Sequence, residues 1–132
     1  MIDIGMMKED LKNKLPESYI DKINCTYGKL DSLEKIIPNE EDTKYEAKFF
    51  SILSDPTRLK IVKLLLQEEV CACIISDLLR LDQTLVSHHL TKLKYLDLID
   101  ERRDGKWIFY KVKDEFIAFL HRMFDDILKI KK

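Results

Sequence analysis

The stretch from Asp82 to Ile99, DQTLVSHHLTKLKYLDLI, limits the possible folds of this chain more than any other segment. Its apolar residues recur with the 3.6-residue period of an α-helix, so they share one side of that helix with one histidine. Asp82 stands at the predicted N-cap, where its carboxylate can accept hydrogen bonds from the first turn. The buried side is predicted to consist of Val86, His89, Leu90, Leu93 and Leu96.

The opposite side of this helix lacks the acidic residues of an ordinary exposed surface. Its first turns hold Thr84, Ser87, His88 and Thr91. Short hydrogen-bonding side chains near a helix N-terminus suit phosphates and base edges, which require donors and close approach. The alternative, an ordinary amphipathic helix with no nucleic-acid partner, stays open on this stretch alone.

The composition of the whole chain narrows the class of protein. With 132 residues, 45% of them hydrophobic, we expect one folded domain plus an extension. No apolar run approaches the roughly 18 residues of a membrane span, and no signal-peptide pattern opens the chain. We therefore expect a cytoplasmic protein without a membrane partner. The net charge of −1 gives no support for nucleic-acid binding, but residues 83–113 carry seven basic against four acidic side chains.

The chain is predicted to divide into an N-terminal extension, residues 1–44, and a domain, residues 45–132. The extension is polar, is interrupted by proline and glycine, and ends with the acidic run Glu40-Glu41-Asp42. Recurring apolar residues within it favour short helices, so we expect it to be partly helical and to dock on the domain.

Three helices are predicted to precede the stretch from Asp82. The first begins at Tyr45, and the second is capped by Asp55 with Pro56 at its first position. The third covers Val70–Leu79, and the short turn Arg80-Leu81-Asp82 follows it. Two helices joined by such a turn form a helix-turn-helix. The inward residues of the third helix are predicted to be Val70, Ile74, Ile75 and Leu78.

After Ile99 the apolar period changes from that of a helix to that of a strand. Two arms flank Asp104-Gly105, a favoured two-residue turn, and predict a β-hairpin. Its basic residues Arg102, Arg103 and Lys106 are expected to cluster at the tip. The last segment, residues 114–132, is predicted to be one amphipathic helix. Its apolar stripe is wider than a small domain needs, which favours self-association.

The order of these elements resembles a winged helix-turn-helix, and four segments resemble the ArsR/SmtB family of metal-responsive repressors. These segments are LSDPTRLKIVKLL, VCACIISDLL, VSHHLTKLKYLDLI and RRDGKWIFYKV, which occur in this order. The resemblance implies a mainly α fold with a β-hairpin wing. It also implies a homodimer, held by the first and last domain helices, that binds a palindromic operator on double-stranded DNA. Inducer binding would weaken the affinity for DNA.

The candidate DNA contacts combine the outward face of the predicted recognition helix with the basic residues of the wing. The helix residues are expected to read base edges, and the wing residues are expected to contact phosphates. The wing residues could alternatively belong to a solvated turn. The full set is Gln83, Thr84, Ser87, His88, Thr91, Lys92, Arg102, Arg103 and Lys106.

Cys71 and Cys73 form a Cys-x-Cys pair at the start of the helix that precedes the recognition helix. A subgroup of the family carries such a pair, and thiolates select soft, thiophilic ions. Cys25 in the extension is the candidate for a third sulfur. Three sulfurs would suit As(III) or Pb(II), whereas Cd(II) or Zn(II) would require a fourth ligand.

Two other interpretations of the cysteines remain open. They could be buried structural thiols, since free cysteine packs as a small hydrophobic residue. They could also form a redox switch that acts through disulfides. A thiol enzyme is not expected, because the chain has neither the C-x-x-C spacing nor a βαβ pattern. No organic cofactor is predicted.

Overall fold

The computed structural model describes residues 14–18 and 34–131. The chain divides into two compact units, Met1–Thr43 and Lys44–Lys132. Most of the predicted extension, including Cys25, lies outside the described residues. The assignment of residues 1–44 as a docked extension therefore stays a prediction.

Residues 40–131 form five helices and one three-stranded antiparallel sheet. The sheet has the order β1-β3-β2, and β2 and β3 form the predicted hairpin. This architecture confirms the predicted class, a mainly α fold with a β-hairpin wing. The elements are α1 (Glu40–Leu53), α2 (Pro56–Gln67), β1 (Val70–Cys71), α3 (Ala72–Leu79), α4 (Gln83–Tyr95), β2 (Ile99–Asp104), β3 (Trp107–Val112) and α5 (Asp114–Lys131).

Helix α1 begins earlier than the apolar pattern predicts. Its first turn is Glu40, Glu41 and Asp42, and the side chain of Asn39 accepts a hydrogen bond from the backbone N–H of Asp42 at 2.8 Å. Acidic side chains in a first turn interact favourably with the helix dipole. The acidic run is therefore part of a helix, and the predicted start at Tyr45 is wrong.

The predicted third helix is divided into a strand and a shorter helix. Val70 and Cys71 pair with Tyr110 and Phe109 of β3, which satisfies their backbone groups outside a helix. Helix α3 then begins at Ala72. Its core residue is Ile75, whereas Ile74 is 42% exposed and Leu78 is 61% exposed, so the prediction that these two face inward is wrong.

The turn between α3 and α4 is as short as predicted. Arg80 adopts a left-handed backbone conformation with φ of 55°, and the N–H of Leu81 donates to the carbonyl of Ser76 at 3.0 Å. The Ser76 hydroxyl donates in return to the carbonyl of Leu81. Asp82 occupies the N-cap of α4, but its side chain makes no capping hydrogen bond, contrary to the prediction.

The wing has a turn one residue later than predicted. Asp104 pairs with Trp107, so the two-residue loop consists of Gly105 and Lys106 rather than Asp104 and Gly105. Gly105 has a φ of +62°. Both common two-residue hairpin turns require a positive φ at their first position, which glycine adopts without steric cost.

The core of the second unit is built from all five helices and the ends of the wing strands. The buried side of α4 is as predicted, because Val86, Leu90 and Leu93 are each at most 1% exposed. This burial fixes the orientation of α4, since one stripe is held by the core and the opposite stripe faces outward. The other buried residues of this cluster are Phe49, Leu53, Ile61, Val62, Leu65, Ile75, Leu96, Leu98, Ile99, Val112 and Leu120.

Candidate nucleic-acid interface and thiol pair

Helix α4 presents all of its predicted DNA contacts on exposed positions. Thr91 donates its hydroxyl hydrogen to the carbonyl of Ser87 at 2.9 Å, one turn earlier in the helix. Lys92 and Lys94 occupy the last turn, where their positive charge interacts favourably with the helix dipole. The exposed candidates on this helix are Gln83, Thr84, Ser87, His88, Thr91 and Lys92.

A polar cluster anchors the inner side of α4 to the start of α2. Asp55 caps α2 by accepting from the backbone N–H of Arg58 at 2.9 Å, as predicted. The guanidinium of Arg58 lies 3.3 Å from Nδ1 of His89 and also donates to the carbonyl of Ile52. The side chain of His89 is only 12% exposed. His89 therefore packs against the domain, as predicted, and the role of Arg58 is one that the sequence pattern did not indicate.

The surroundings of His89 favour its neutral form. Burial lowers the pKa of His89 below its ordinary value, and the Arg58 cation adds to this effect, while Asp55 opposes it. Because Arg58 can only donate, Nδ1 accepts this hydrogen bond and the ring proton is assigned to Nε2. Protonation would remove the acceptor and place a second positive charge beside Arg58.

We expect the folded protein to lose stability as the pH falls below about 6.5, the ordinary pKa of histidine. The unfolded chain then binds a proton at His89 that the folded chain does not, so the free energy of unfolding decreases. Thermal unfolding between pH 7.5 and 5.5 measures this effect. His89→Asn, which keeps an acceptor for Arg58, should reduce the fall in Tm by a few degrees. His88→Asn is the matched control and should keep the wild-type fall; an unchanged fall in His89→Asn would contradict the assignment.

The basic residues of the wing do not form one cluster at the tip. Arg103 lies opposite Ile108, and Lys106 lies in the loop with its Nζ 5.3 Å from the ring centroid of Trp107. Successive strand residues point to opposite faces, so Arg102 lies on the other face from Arg103. Arg103 and Lys106 thus remain at the tip as exposed cations.

Arg102 is held by an acidic partner from outside the wing. Its Nη2 donates to Oε1 of Glu69 at 2.8 Å, and its Nε donates to the same oxygen at 3.2 Å. This contact lowers the pKa of Glu69 and raises the pKa of Arg102, so both groups are ionised at neutral pH. Sequence reasoning missed Glu69, because the contact depends on how β1 pairs with the wing.

The two cysteines converge on one point. Cys71 is the last residue of β1 and the N-cap of α3, and Cys73 lies in the first turn of α3. Their Cα atoms are 5.4 Å apart, and their sulfur atoms are joined as a disulfide. Cys71 is 6% exposed.

The structure does not bring the complete predicted metal site together. Among residues 14–18 and 34–131, no group of three or more His, Cys, Asp or Glu side chains could hold a metal ion. The predicted third sulfur, Cys25, lies outside these ranges. Of the three predicted sulfur ligands, the described residues contain Cys71 and Cys73, which are bonded to each other.

Helices α1 and α5 carry an exposed apolar surface, which we call the aromatic face. The rings of Phe49 and Phe119 lie 6.1 Å apart, and Phe119 is 49% exposed. Leu120 anchors α5 in the core, so the predicted stripe of this helix is only partly covered. The exposed residues of the aromatic face are Tyr45, Phe50, Phe119, Ile127 and Ile130.

A helix-turn-helix with an exposed polar second helix and a basic β-wing defines a winged helix-turn-helix DNA-binding protein. The family described as "Bacterial regulatory protein, arsR family" matches residues 55–101, from the cap of α2 to the first arm of the wing. The cadmium resistance transcriptional regulatory protein CadC of Listeria innocua is 39% identical over 95 residues, which cover 71% of this chain and 73% of that protein. The arsenical resistance operon repressor of Escherichia coli K12 is 37% identical over 81 residues, covering 60% and 68%.

A solved structure, that of NolR from Sinorhizobium fredii, matches 66% of this chain and 87% of that chain, with 29% identity and a TM-score of 0.61. The chain therefore belongs to the arsR family of bacterial regulatory proteins. It is a DNA-binding transcription regulator, which confirms the prediction that it is not an enzyme. Within the part of the chain that the structure describes, no helix is long and apolar enough to cross a membrane.

Proposed function

We propose that this protein is a homodimeric transcriptional repressor that releases its operator when Cys71 and Cys73 bind a thiophilic ion. The main observation in support of this proposal is that the sulfur atoms of Cys71 and Cys73 lie in direct contact at the start of α3. Helix α3 leads through the tight turn at Arg80 into α4, the helix that presents the candidate base contacts. An ion that binds both sulfurs therefore acts one helix away from the DNA-binding face.

The chemistry of the ligands selects the class of inducer. Thiolates are soft ligands and prefer soft ions to Mg²⁺ or Ca²⁺. With Cys25 as a third sulfur, the site favours arsenite-type or lead-type ions, and Cd(II) or Zn(II) would require a further ligand. The names of the relatives, which refer to cadmium and arsenical resistance, support this class of inducer.

Ultraviolet absorption of the reduced protein, titrated separately with arsenite, Pb(II), Cd(II) and Zn(II), tests the proposal. Sulfur-to-metal charge-transfer bands should appear and saturate at a fixed ratio of ion to chain. The Cys25→Ser variant should weaken the bands for the ions that require three sulfurs. Absence of bands with all four ions would exclude a thiolate inducer site.

Ser87→Ala and His88→Ala should reduce both operator affinity and the discrimination between sequences. These side chains lie on the face of α4 that enters the major groove, where a good base contact contributes about 1–3 kcal/mol of discrimination. Arg103→Ala should instead weaken all duplexes similarly and reduce the slope of affinity against salt by about one, because a phosphate contact releases counterions without reading sequence. Fluorescence anisotropy with matched and scrambled duplexes measures both. The opposite pattern of effects would reverse the two roles.

A redox switch is the second candidate, and the bonded sulfurs in the structure favour it. Oxidation of the two thiols by hydrogen peroxide would form the disulfide, and the peroxide would be reduced to two molecules of water. Operator binding is then expected to respond to peroxide without any ion and to recover with a dithiol reductant. Release by ions in the presence of reductant, without a response to peroxide, would exclude this alternative.

A further inference from the structure

A row of paired residues crosses the sheet from the thiol pair to the wing. Cys71 pairs with Phe109 in the β1–β3 register, and Phe109 pairs with Arg102 in the β2–β3 register. Directly opposed residues of antiparallel strands place their side chains on the same face of a sheet. Cys71, Phe109 and Arg102 therefore share one face. The guanidinium of Arg102 accordingly lies 4.8 Å from the centroid of the Phe109 ring.

Glu69 connects the two ends of this row. It stands two residues before Cys71, and its carboxylate receives two donors from Arg102, at 2.8 and 3.2 Å. Its side chain is 29% exposed, against 53% for that of Arg102. A forked contact of this kind fixes the angle as well as the distance between its partners. The segment that carries the first thiol is thus joined directly to β2, across the intervening strand β3.

We propose that Glu69 is a positioning residue that transmits the state of the thiol pair to the wing. This role rests on the proposed function: the contact between Glu69 and Arg102 would be the structural connection through which ion binding affects the wing. While the thiols carry no ion, the contact between Glu69 and Arg102 holds the wing in the arrangement that binds DNA. Binding of an ion by Cys71 and Cys73 weakens this contact and releases the wing from that arrangement.

The environment of Cys71 supplies the physical reason for this coupling. In the structure Cys71 is 6% exposed and its sulfur is bonded to that of Cys73. An ion that binds both reduced sulfurs must hold them farther apart than this bond does, and we expect that separation to shift the end of β1 relative to β3. Such a shift displaces Glu69, which precedes β1, relative to Arg102, which is fixed in β2. The ion then binds more tightly to the displaced arrangement, and this difference in affinity is what allows it to oppose DNA binding.

The single tryptophan of the chain, Trp107, reports on the wing. It pairs with Asp104 next to the loop and is 49% exposed. Reduced full-length protein is titrated separately with sodium arsenite and cadmium chloride. Ultraviolet absorption follows ion binding, acrylamide quenching of Trp107 fluorescence follows the wing, and anisotropy follows binding to an operator duplex selected from a random pool.

Glu69→Gln should bind both ions as the wild type does, as judged by absorption. Its ion-dependent change in Trp107 quenching should fall to less than about half, and the ion-dependent loss of DNA affinity should shrink at least about threefold, within the usual range of allosteric coupling. Exposed ion pairs contribute little to stability, so the variant is expected to fold. Arg102→Lys should behave similarly, because lysine keeps the charge but cannot form the fork.

Glu68→Gln is the matched control, since it makes the same change of charge at the exposed neighbouring position. It should keep the full wild-type response. Full wild-type coupling in Glu69→Gln, or loss of ion binding in that variant, would overturn the role of Glu69 while leaving the proposed function intact. If the wild type itself releases no DNA with either ion, the proposed function fails and this inference fails with it.

Discussion

Cys71→Ser and Cys73→Ser should each abolish ion-driven release of DNA while leaving the affinity of the ion-free protein for its operator nearly unchanged. Serine is close in size to cysteine but offers a hard oxygen that binds thiophilic ions poorly. At position 71 it is also a favourable N-cap for α3, so the local fold is expected to persist. In the wild type, a coupling of about 1–3 kcal/mol would lower operator affinity about 5–150-fold when the ion binds.

Anisotropy with and without each ion measures this coupling for the wild type and both variants. Linkage also requires that operator DNA weaken ion binding by the same factor in the wild type, which absorption titrations on the complex can measure. Cys25→Ser should lose the response to the ions that require three sulfurs; an unchanged response to all four ions would show that no third thiolate takes part. If the Cys71 and Cys73 variants still release DNA at wild-type ion concentrations, the sensing site lies elsewhere.

The elements that sequence reasoning predicted correctly are those with a long, regular apolar period. The buried stripe of α4, with Val86, Leu90 and Leu93, follows from the spacing of its apolar residues, because a helix of this length cannot rotate without exposing them. Helix α5 is predicted for the same reason. The Asp55-Pro56 start of α2 is a local signal, since the cap and the proline act on backbone groups within one turn.

The errors concern features that depend on partners distant in sequence. The sequence pattern places Val70 and Cys71 in the first turn of a helix. They form a strand because they pair with Tyr110 and Phe109 of β3. The contact between Glu69 and Arg102 depends on the same pairing. The turn at Gly105 is displaced by one residue, because register across the whole hairpin decides which two residues form the loop.

Part of the aromatic face is exposed to solvent in the single chain. Phe50 is 59% exposed on α1, and Phe119 and Ile127 are 49% and 55% exposed on α5. Contiguous apolar surfaces of this kind usually mark interfaces. Helices α1 and α5 lie side by side in this chain, with the rings of Phe49 and Phe116 6.4 Å apart. In the proposed homodimer a second copy of this chain covers this surface, and an operator with two half-sites would then meet two recognition helices about 34–36 Å apart.

Phe119→Asp should convert the dimer into a monomer at micromolar concentration and lower operator affinity by roughly two to four orders of magnitude. The substitution places a charge within the apolar interface, and its burial there without a partner is costly. A monomer contacts one half-site and loses the high effective concentration that links the two contacts in a dimer. Because Phe119 is 49% exposed in the single chain, the domain itself is expected to remain folded. Light scattering gives the mass, circular dichroism checks the fold, and anisotropy gives the affinity.

Leu78→Asp is the matched control for the mass, since Leu78 is 61% exposed but lies on α3, away from the aromatic face. This variant should stay dimeric. A dimeric Phe119→Asp variant, or a monomeric wild type, would show that the aromatic face has another partner.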